Sequence, residues 1–490
     1  MTTNVHGARG ANAGVPAGRR RRAPHDGSGI AAVLAAYMHD HELTQEQLAA
    51  RIGVERTYIT KVLSGARKIR DVGRLVEIAQ ALQIPPERFG LLPVLGGTDV
   101  GKSDLGPEPA DIERWRLVRR SLNGRRWELT KRAASLYPEA EPVAGTDLLT
   151  AKGWMPTRPL DLDAVELFWI PDSPEPQITG GEPETESCRP HGQAGRRYSR
   201  YSRVIRDLDR PSLFENRGSY RLLELSWGDT EGSQTYGWTT YFDMVDVCEA
   251  VSHELASVWL DHDGRADRIG LADLPFRGLI GDPFDLLRRP VLPSIDTLTI
   301  RYDPGGGSSF LLHRRSASNV AVAGGLSHVM PAGVFQPSGI APWNVAGDFS
   351  LWRNMLREFS EEFLGNQEHD GSSGDPIDYD TEEPFRSLNE GRRTGSVRPW
   401  CLGVGLDPLT LAGEILTVVV IDAPVFDQVF ADLVDVNSEG AVVAPEEGPV
   451  GLPWRRDVVF RLLATGSLAP AAAACVELTW KYRELITGDG

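Results

Sequence analysis

Between residues 28 and 92 the sequence consists of short apolar patterns at helical spacing, and most of them end at a turn residue. Thr44 is a suitable N-cap, and Gln47 three positions later completes the capping-box pattern that begins a helix. Gly53 follows the last apolar residue of this helix, where a closing glycine is expected. The next segment, Glu55–Leu63, is amphipathic and ends at a Ser-Gly pair. The pattern therefore predicts two short helices joined by a tight turn.

Three more helices complete this region. The first covers residues 30–38, the fourth covers Val72–Leu82, and the fifth begins at Pro85-Pro86, since proline is tolerated in a first helical turn. The apolar residues expected in the shared core are Ile30, Val33, Leu34, Tyr37, Met38, Leu48, Ala49, Ile52, Ile59, Val62, Leu63, Leu75, Ile78, Ala79 and Leu82. We therefore expect an all-α, five-helix domain at residues 28–95.

The segment LTQEQLAARIGVERTYITKVLSGARKI carries a family resemblance. Its Thr-Gln helix start, its Ala-Gly pattern and the Ser-Gly pair after the second helix resemble the Xre/Cro-repressor-type helix-turn-helix family. In such motifs the second helix enters the major groove of DNA. The resemblance implies a double-stranded DNA operator as partner and, because family members usually bind paired half-sites, a homodimer.

The exposed face of Glu55–Leu63 carries the side chains expected to read DNA. Arg56 and Lys61 are candidates for contacts to guanine O6 and N7, and Thr57 for a base edge or a phosphate. Residues at the start of the preceding helix and just after the recognition helix would hold phosphates. The expected DNA-binding residues are Gln45, Glu55, Arg56, Thr57, Thr60, Lys61, Arg67, Lys68 and Arg70. For any one of them, a merely solvated side chain is the alternative.

The formal net charge of −16 argues against nucleic-acid binding, but its distribution does not. Residues 1–90 carry 13 Lys/Arg and 8 Asp/Glu, a local balance of +5, whereas the remainder has a balance of −21. A basic head on an acidic body concentrates the field that attracts phosphate in one domain. Charge therefore supports the helix-turn-helix interpretation without establishing it.

A second pattern lies at about residues 348–365, where a helix is expected. Glu358, Glu361 and Glu362 share one of its faces, and like charges at this spacing repel each other. A hard divalent cation such as Mg²⁺ would suit such a cluster. The alternative is a solvated acidic face balanced by Arg353 and Arg357. The apolar face of this helix consists of Trp352, Met355, Phe359 and Phe363.

The same segment, LREFSEEFLG, resembles the core of a Nudix box. Arg357 and the three glutamates fall on the Arg and Glu positions of that pattern. In the Nudix family the glutamates bind Mg²⁺ and a diphosphate, and a nucleoside-diphosphate-linked compound is hydrolysed. The resemblance implies metal binding by Glu358, Glu361 and Glu362, catalysis by Glu361 and Glu362 if the site is active, and ligand binding by Arg357 and Gly333.

Besides an adaptor whose central module binds a partner protein and whose C-terminal domain is vestigial, the departures from the Nudix pattern leave two functions open. The box glycine would fall on Trp343 and the upstream glutamate on Phe349. Gly333 can replace that glycine only with an insertion of about ten residues, and Asp348 is then the nearest acid. The first possibility is a regulator that senses a phosphorylated or nucleotide-linked ligand. The second is an active Mg²⁺-dependent hydrolase with a DNA-binding appendage.

At 490 residues the chain is too long for one core, so we expect a multidomain protein. An α+β module follows the all-α head, and after it comes a Nudix-like α/β/α sandwich. In the α+β module, Asp246, Glu249 and His253 share a helix face, which is more often a hydrogen-bonded row than a site. The expected organisation is a disordered basic tail at 1–27, the head at 28–95, a linker at 96–110, the central module at 111–291 with a disordered insertion at 172–197, the Nudix-like domain at 292–435 with an insertion at 366–396, and a helical segment at 436–490.

Composition also bears on the compartment. No apolar run approaches the ~20 residues that a membrane helix needs, so we expect no membrane partner. The four cysteines are far apart and form no C-x-x-C pair, which favours a reducing compartment. We therefore expect a cytoplasmic, nucleoid-associated protein.

Overall fold

The structure is a computed structural model of the chain. It describes residues 33–35, 37–38, 41, 43–64, 78–79, 81–82, 84, 110–143, 145–192, 195–211, 214–315, 326–339, 342–366, 376–433, 440–442 and 450–488. The chain divides into two compact units, Met1–Gly106 and Pro107–Gly490. The first contains the helix-turn-helix region and the second is a large α+β unit.

In the N-terminal unit the helices Gln45–Arg51 and Arg56–Leu63 match the two expected from the sequence. The capping box is confirmed: Thr44 Oγ1 accepts from the Gln47 backbone N–H at 3.2 Å, and Gln47 Oε1 accepts from the Thr44 N–H at 2.9 Å. Gly53 adopts a left-handed φ of +65°, which a glycine takes without strain. Much of the other three expected helices lies outside the described residues. The buried core includes Leu34, Leu48, Ala49, Ile52, Ile59, Val62, Ile78, Ala79, Leu82 and Ile84.

The C-terminal unit alternates helices and strands. Its described helices are Ala110–Gly124, Arg126–Ser135, Tyr201–Leu208, Tyr241–Asp261, Pro275–Ile280, Pro342–Gly347, Leu351–Glu358, Phe385–Thr394, Ala423–Val429, Arg456–Ala464, Pro470–Lys481 and Arg483–Thr487. Its described strands are β1 (Glu141–Pro142), β2 (Leu149–Thr150), β3 (Leu160–Asp161), β4 (Val165–Trp169), β5 (Gly218–Trp227), β6 (Gly232–Thr240), β7 (Pro293–Tyr302), β8 (Ser309–Phe310), β9 (Leu312–Arg315), β10 (Ser327–Val329), β11 (Ala332–Val334), β12 (Val397–Leu406), β13 (Gly413–Asp422), β14 (Gly440–Val442) and β15 (Leu452–Pro453).

The largest sheet formed by the described residues has nine strands, in the order β1-β2-β12-β13-β7-β8-β15 with β11 beside β7 and β3 beside β12. Strands β7 and β13 pair in parallel over their whole length, and the other pairs in this sheet are antiparallel. Strands β7 and β8 form an antiparallel hairpin around residues 303–308, since Ile300 of β7 pairs with Phe310 of β8. Two smaller sheets have the orders β10-β9-β14 and β4-β6-β5.

Helices cover both faces of the largest sheet. Leu416, Val418 and Val420 of β13 pack with the helix Pro470–Lys481. The alternate side chains of β13 belong to a second core that includes the helix Leu351–Glu358. A strand buried on both faces needs a nearly continuous apolar run, and this explains the sequence EILTVVVI of β13.

The expected boundaries at 291/292 and 435/436 do not separate compact units. Strands β1–β3 come from the expected central module, yet β2 and β3 pair with β12. Strand β15 comes from the expected C-terminal segment and pairs with β8. One sheet thus draws strands from all three expected parts. The residues from Pro107 onward consequently form a single compact unit.

The insertion at 172–197, which was expected to be disordered, is largely ordered. Only residues 193–194 of this range lie outside the described residues, and Pro183–Cys188 forms a 3₁₀ helix. Cys188 is fully buried, and its thiol lies 3.5 Å from the Ala250 carbonyl oxygen of the helix Tyr241–Asp261. The polar composition suggested disorder, but contacts with a distant helix supply the missing burial.

The insertion expected at 366–396 is ordered in part. Residues 367–375 lie outside the described residues. The remainder contains the helix Phe385–Thr394, whose Phe385 and Leu388 are buried. This helix therefore contributes to the core of the C-terminal unit.

Candidate functional site

The helix Arg56–Leu63 turns one face toward the core of the N-terminal unit and the other outward. Ile59 and Val62 are buried and fix this orientation. Glu55, the N-cap residue, and four side chains of the helix are exposed, as the helical periodicity predicts. The exposed side chains of the helix are Arg56, Thr57, Thr60 and Lys61.

The cationic side chains of this face have no partner in the part of the chain that the structure describes. Among the residues that the structure describes, neither Arg56 nor Lys61 forms a hydrogen bond or an ion pair through its side chain. Glu55 is engaged locally, because its Oε2 accepts a hydrogen bond from the Thr57 hydroxyl at 3.2 Å. The two cations are thus available to an external anion such as a phosphate or a guanine edge.

Thr60 connects the two helices of the motif. Its hydroxyl lies 2.8 Å from Oε1 of Gln45 and 3.0 Å from the carbonyl oxygen of Arg56. Gln45 is the first residue of the preceding helix and is half-buried. The contact holds this side chain beside the middle of the helix Arg56–Leu63. The three other expected phosphate ligands, Arg67, Lys68 and Arg70, lie outside the described residues.

The comparison with known families agrees with this geometry. Residues 34–89 match the helix-turn-helix family model. The chain is therefore a DNA-binding transcriptional regulator with an N-terminal helix-turn-helix domain of the Xre/Cro type. No curated protein matches the chain. Among the described residues, no helix is both long and apolar enough to cross a membrane.

The acidic segment predicted at about 348–365 is helical. The helix Leu351–Glu358 continues into one π-helical turn, Phe359–Phe363. Gly333 of β11 lies directly against the Glu358 carboxylate, so that any side chain at this position would overlap with it. Glu362 is buried, and its Oε1 accepts a hydrogen bond from the Ala332 N–H at 3.2 Å. The structure thus brings Gly333, Glu358 and Glu362 together, whereas Glu361 is half-exposed.

Arg357 is held by internal contacts. It donates hydrogen bonds to the Tyr379 hydroxyl at 2.8 Å, to the Gln336 carbonyl oxygen at 2.6 Å and to Asn354 Oδ1 at 2.8 Å. Its guanidinium also lies 3.4 Å from Asp348. Burial opposes the charged form, but Tyr379 and Asp348 outweigh it and raise the pKa of Arg357. The sequence placed Asp348 near this segment without showing that it pairs with Arg357.

The arrangement of the glutamates does not fit a metal ion. Among the described residues, no group of three or more His, Cys, Asp or Glu side chains could hold one. Glu362 already uses an oxygen on the backbone of β11, and a Mg²⁺ site needs several oxygen ligands directed at one point. The Mg²⁺ site therefore stays a prediction from the sequence.

The acidic row of the helix Tyr241–Asp261 is a hydrogen-bonded row in the core. Glu249 forms a buried ion pair with Arg119. The Tyr201 hydroxyl lies 2.9 Å from His253 Nδ1, and burial lowers the pKa of His253 to about 3. A neutral, fully enclosed imidazole has a structural role here. The row is therefore a hydrogen-bonded part of the core, as the sequence favoured, and not a functional site.

Proposed function

We propose that the protein is a sequence-specific transcriptional regulator that reads a double-stranded operator through the helix Arg56–Leu63. One observation carries the proposal: Arg56 and Lys61 are exposed on this helix and make no side-chain hydrogen bond or ion pair within the described residues. Thr57 lies on the same exposed face. The positive balance of residues 1–90 supports the same interface.

The test begins with selection of a preferred site from random duplexes by the full-length protein. Arg56→Ala should then weaken operator binding by about 1–3 kcal/mol and relax the preference at one base pair, because one bidentate base contact is lost. Arg125→Ala is the matched control, since Arg125 is an exposed arginine in the C-terminal unit. An Arg56→Ala protein with unchanged affinity and sequence preference would overturn the assigned contact.

The resemblance to the Xre/Cro-type family also supports a homodimer on DNA. Two copies would place their recognition helices on half-sites about one helical turn, roughly 34 Å, apart. Light scattering of the protein–operator complex should give two chains per duplex. One chain per duplex, or a selected site without internal symmetry, would contradict the dimer.

We propose further that residues 292–435 are Nudix-like and sense a phosphorylated or nucleotide-linked ligand. The order of Arg357, Glu358, Glu361 and Glu362 supports this, as does the close approach of Glu358 to Gly333. A ligand would alter operator affinity by binding unequally to two arrangements of the dimer. Because the glutamates repel an anion, we expect the ligand to bind together with a cation that its own phosphates hold, such as Mg²⁺.

Operator affinity measured across a panel of nucleoside-diphosphate-linked compounds, with and without Mg²⁺, tests this second part. One compound should change the affinity, and the change should be lost in Glu361→Gln but kept in Glu382→Gln, an exposed control residue. If no compound changes operator affinity, the sensing proposal fails. Hydrolysis of a compound that is lost in Glu361→Gln would instead establish the alternative, a hydrolase with a DNA-binding appendage.

A further inference from the structure

A small cavity lies in the C-terminal unit, away from the acidic helix. Its volume is about 160 Å³. It lies between the helix Arg126–Ser135, the loop 145–147 and the helices Arg456–Ala464 and Pro470–Lys481, and none of its lining residues belongs to the Gly333–Glu358 region. Cavities of roughly 150 Å³ hold a molecule the size of benzene. The space therefore suits a ligand with a small hydrocarbon group.

One wall of the cavity is apolar. It is formed by the aliphatic side chains of Leu326, Leu463 and Leu468. The indole of Trp127 borders the same space and is held close by Gly466, where an added Cβ would lie 2.5 Å from Trp127 Nε1. This wall offers contact to a branched hydrocarbon.

The lining of the cavity also carries one charge of each sign. Lys131 Nζ lies 3.7 Å from Asp147 Oδ2, and both residues line the cavity. The two groups form an ion pair without a direct hydrogen bond, and Lys131 Nζ also lies 4.9 Å from the centre of the Trp127 ring. Their side chains are 50% and 34% exposed, which leaves them accessible to a ligand. The pair is neutral as a whole, and because its two members share no direct hydrogen bond, each can accept a hydrogen-bonded ligand group of opposite charge.

The start of the helix Pro470–Lys481 also borders the cavity. Pro470 and Ala473, both in its first turn, line the cavity. Its N-cap residue, Ala469, supplies no side-chain acceptor to the first-turn N–H groups. The N-terminus of a helix carries partial positive charge, which favours a carboxylate there.

We propose that this cavity binds a small apolar α-amino acid in its zwitterionic form. The carboxylate lies toward Lys131 and the start of the helix, the ammonium toward Asp147, and the hydrocarbon side chain against the leucine wall. A simple carboxylic acid would pair with Lys131 but leave Asp147 unmatched, and a simple amine would pair with Asp147 but leave Lys131 unmatched. Discrimination against both follows from these uncompensated charges.

Calorimetric titration of the full-length protein with three probes of similar shape tests the charge pattern. The probes are L-leucine, 4-methylpentanoate, which lacks the ammonium, and 3-methylbutylamine, which lacks the carboxylate. L-Leucine should bind saturably with one site per chain, and each of the other two should bind at least tenfold more weakly. Absence of saturable L-leucine binding, or equal affinity for 4-methylpentanoate, would overturn the proposal.

Variants assign the binding to this cavity. Lys131→Met and Asp147→Asn change half-exposed side chains, and each should weaken L-leucine binding at least tenfold. Ala473→Leu should abolish it by filling the cavity. Glu128→Gln, on the same helix but outside the cavity, should bind like wild type. L-Leucine binding that survives both Asp147→Asn and Ala473→Leu in folded proteins would place the ligand elsewhere and refute the assignment. The outcome does not bear on DNA recognition, because the cavity contains no residue of the helix-turn-helix region.

Discussion

A buried carboxylate in the helix Tyr241–Asp261 should make the C-terminal unit less stable as pH rises. Asp246 is only 4% exposed, and its Oδ1 accepts a hydrogen bond from the Ser202 N–H at 2.6 Å. Burial raises the pKa of Asp246 from 3.8 to about 6, although the Ser202 hydrogen bond and Arg200 act in the opposite direction. Asp243 adds a smaller unfavourable charge.

The direction and size of the effect follow from linkage. Between pH 3.8 and about 6 the native state holds a proton on Asp246 that the unfolded chain has lost. The free energy of unfolding therefore decreases as pH rises through this window. A shift of about two pKa units corresponds to about 3 kcal/mol, present in full below the window and lost above it.

Asp246→Asn removes this titration and keeps an oxygen that can accept from the Ser202 N–H. The free energy of unfolding of the variant minus that of wild type should increase by about 2–3 kcal/mol between pH 4 and pH 8, because pH 4 already lies just inside the window. Urea unfolding followed by tryptophan fluorescence at closely spaced pH values measures it. Glu166→Gln, at an exposed position, is the control and should give a constant difference. A constant difference for Asp246→Asn as well would show that the carboxylate is charged in the native state and refute the reasoning.

Three further substitutions test local features, each by thermal or urea unfolding. Thr44→Ala breaks the capping box and should destabilise the N-terminal unit by about 1 kcal/mol; an unchanged transition would contradict the cap. Gly333→Ala should displace the Glu358 carboxylate, which is the flexible end of a half-buried side chain, and should cost no more than about 1 kcal/mol; a larger loss would show that this carboxylate is fixed in place. Arg119→Met leaves the buried Glu249 without its cation and should cost about 3–5 kcal/mol, most of which Arg119→Met/Glu249→Leu should restore; a double variant no more stable than the single one would contradict the pairing.

The helix-turn-helix region could be read from the sequence because its determinants are local. The bond between Thr44 and Gln47 spans three residues, and the turn needs only a glycine at position 53. The exposed position of Arg56 and Lys61 follows from helical periodicity once Ile59 and Val62 are assigned to the core. The strands of the hairpin near residue 303 were equally local, since their register follows from the turn between them.

The organisation of the C-terminal unit was decided by pairings between distant residues. Strand β7 pairs with β13 about 120 residues later, and β2 pairs with β12 over a longer separation. The cavity likewise joins Trp127 and Lys131 to Leu468, and no periodicity marks such a convergence. Closing loops of this length costs chain entropy, which only the completed sheet and its two covered faces offset.

The acidic residues show the same division. Sequence spacing placed Asp246 and Glu249 on one helix face, but their environment depends on Ser202 and Arg119, which approach from other elements. Helical periodicity predicts which side chains share a face, but it does not predict which other elements pack against that face. Local hydrogen bonding and helical periodicity therefore determined the helix-turn-helix region. The environments of Asp246 and Glu249 were instead decided by burial, which depends on contacts between residues far apart in the chain.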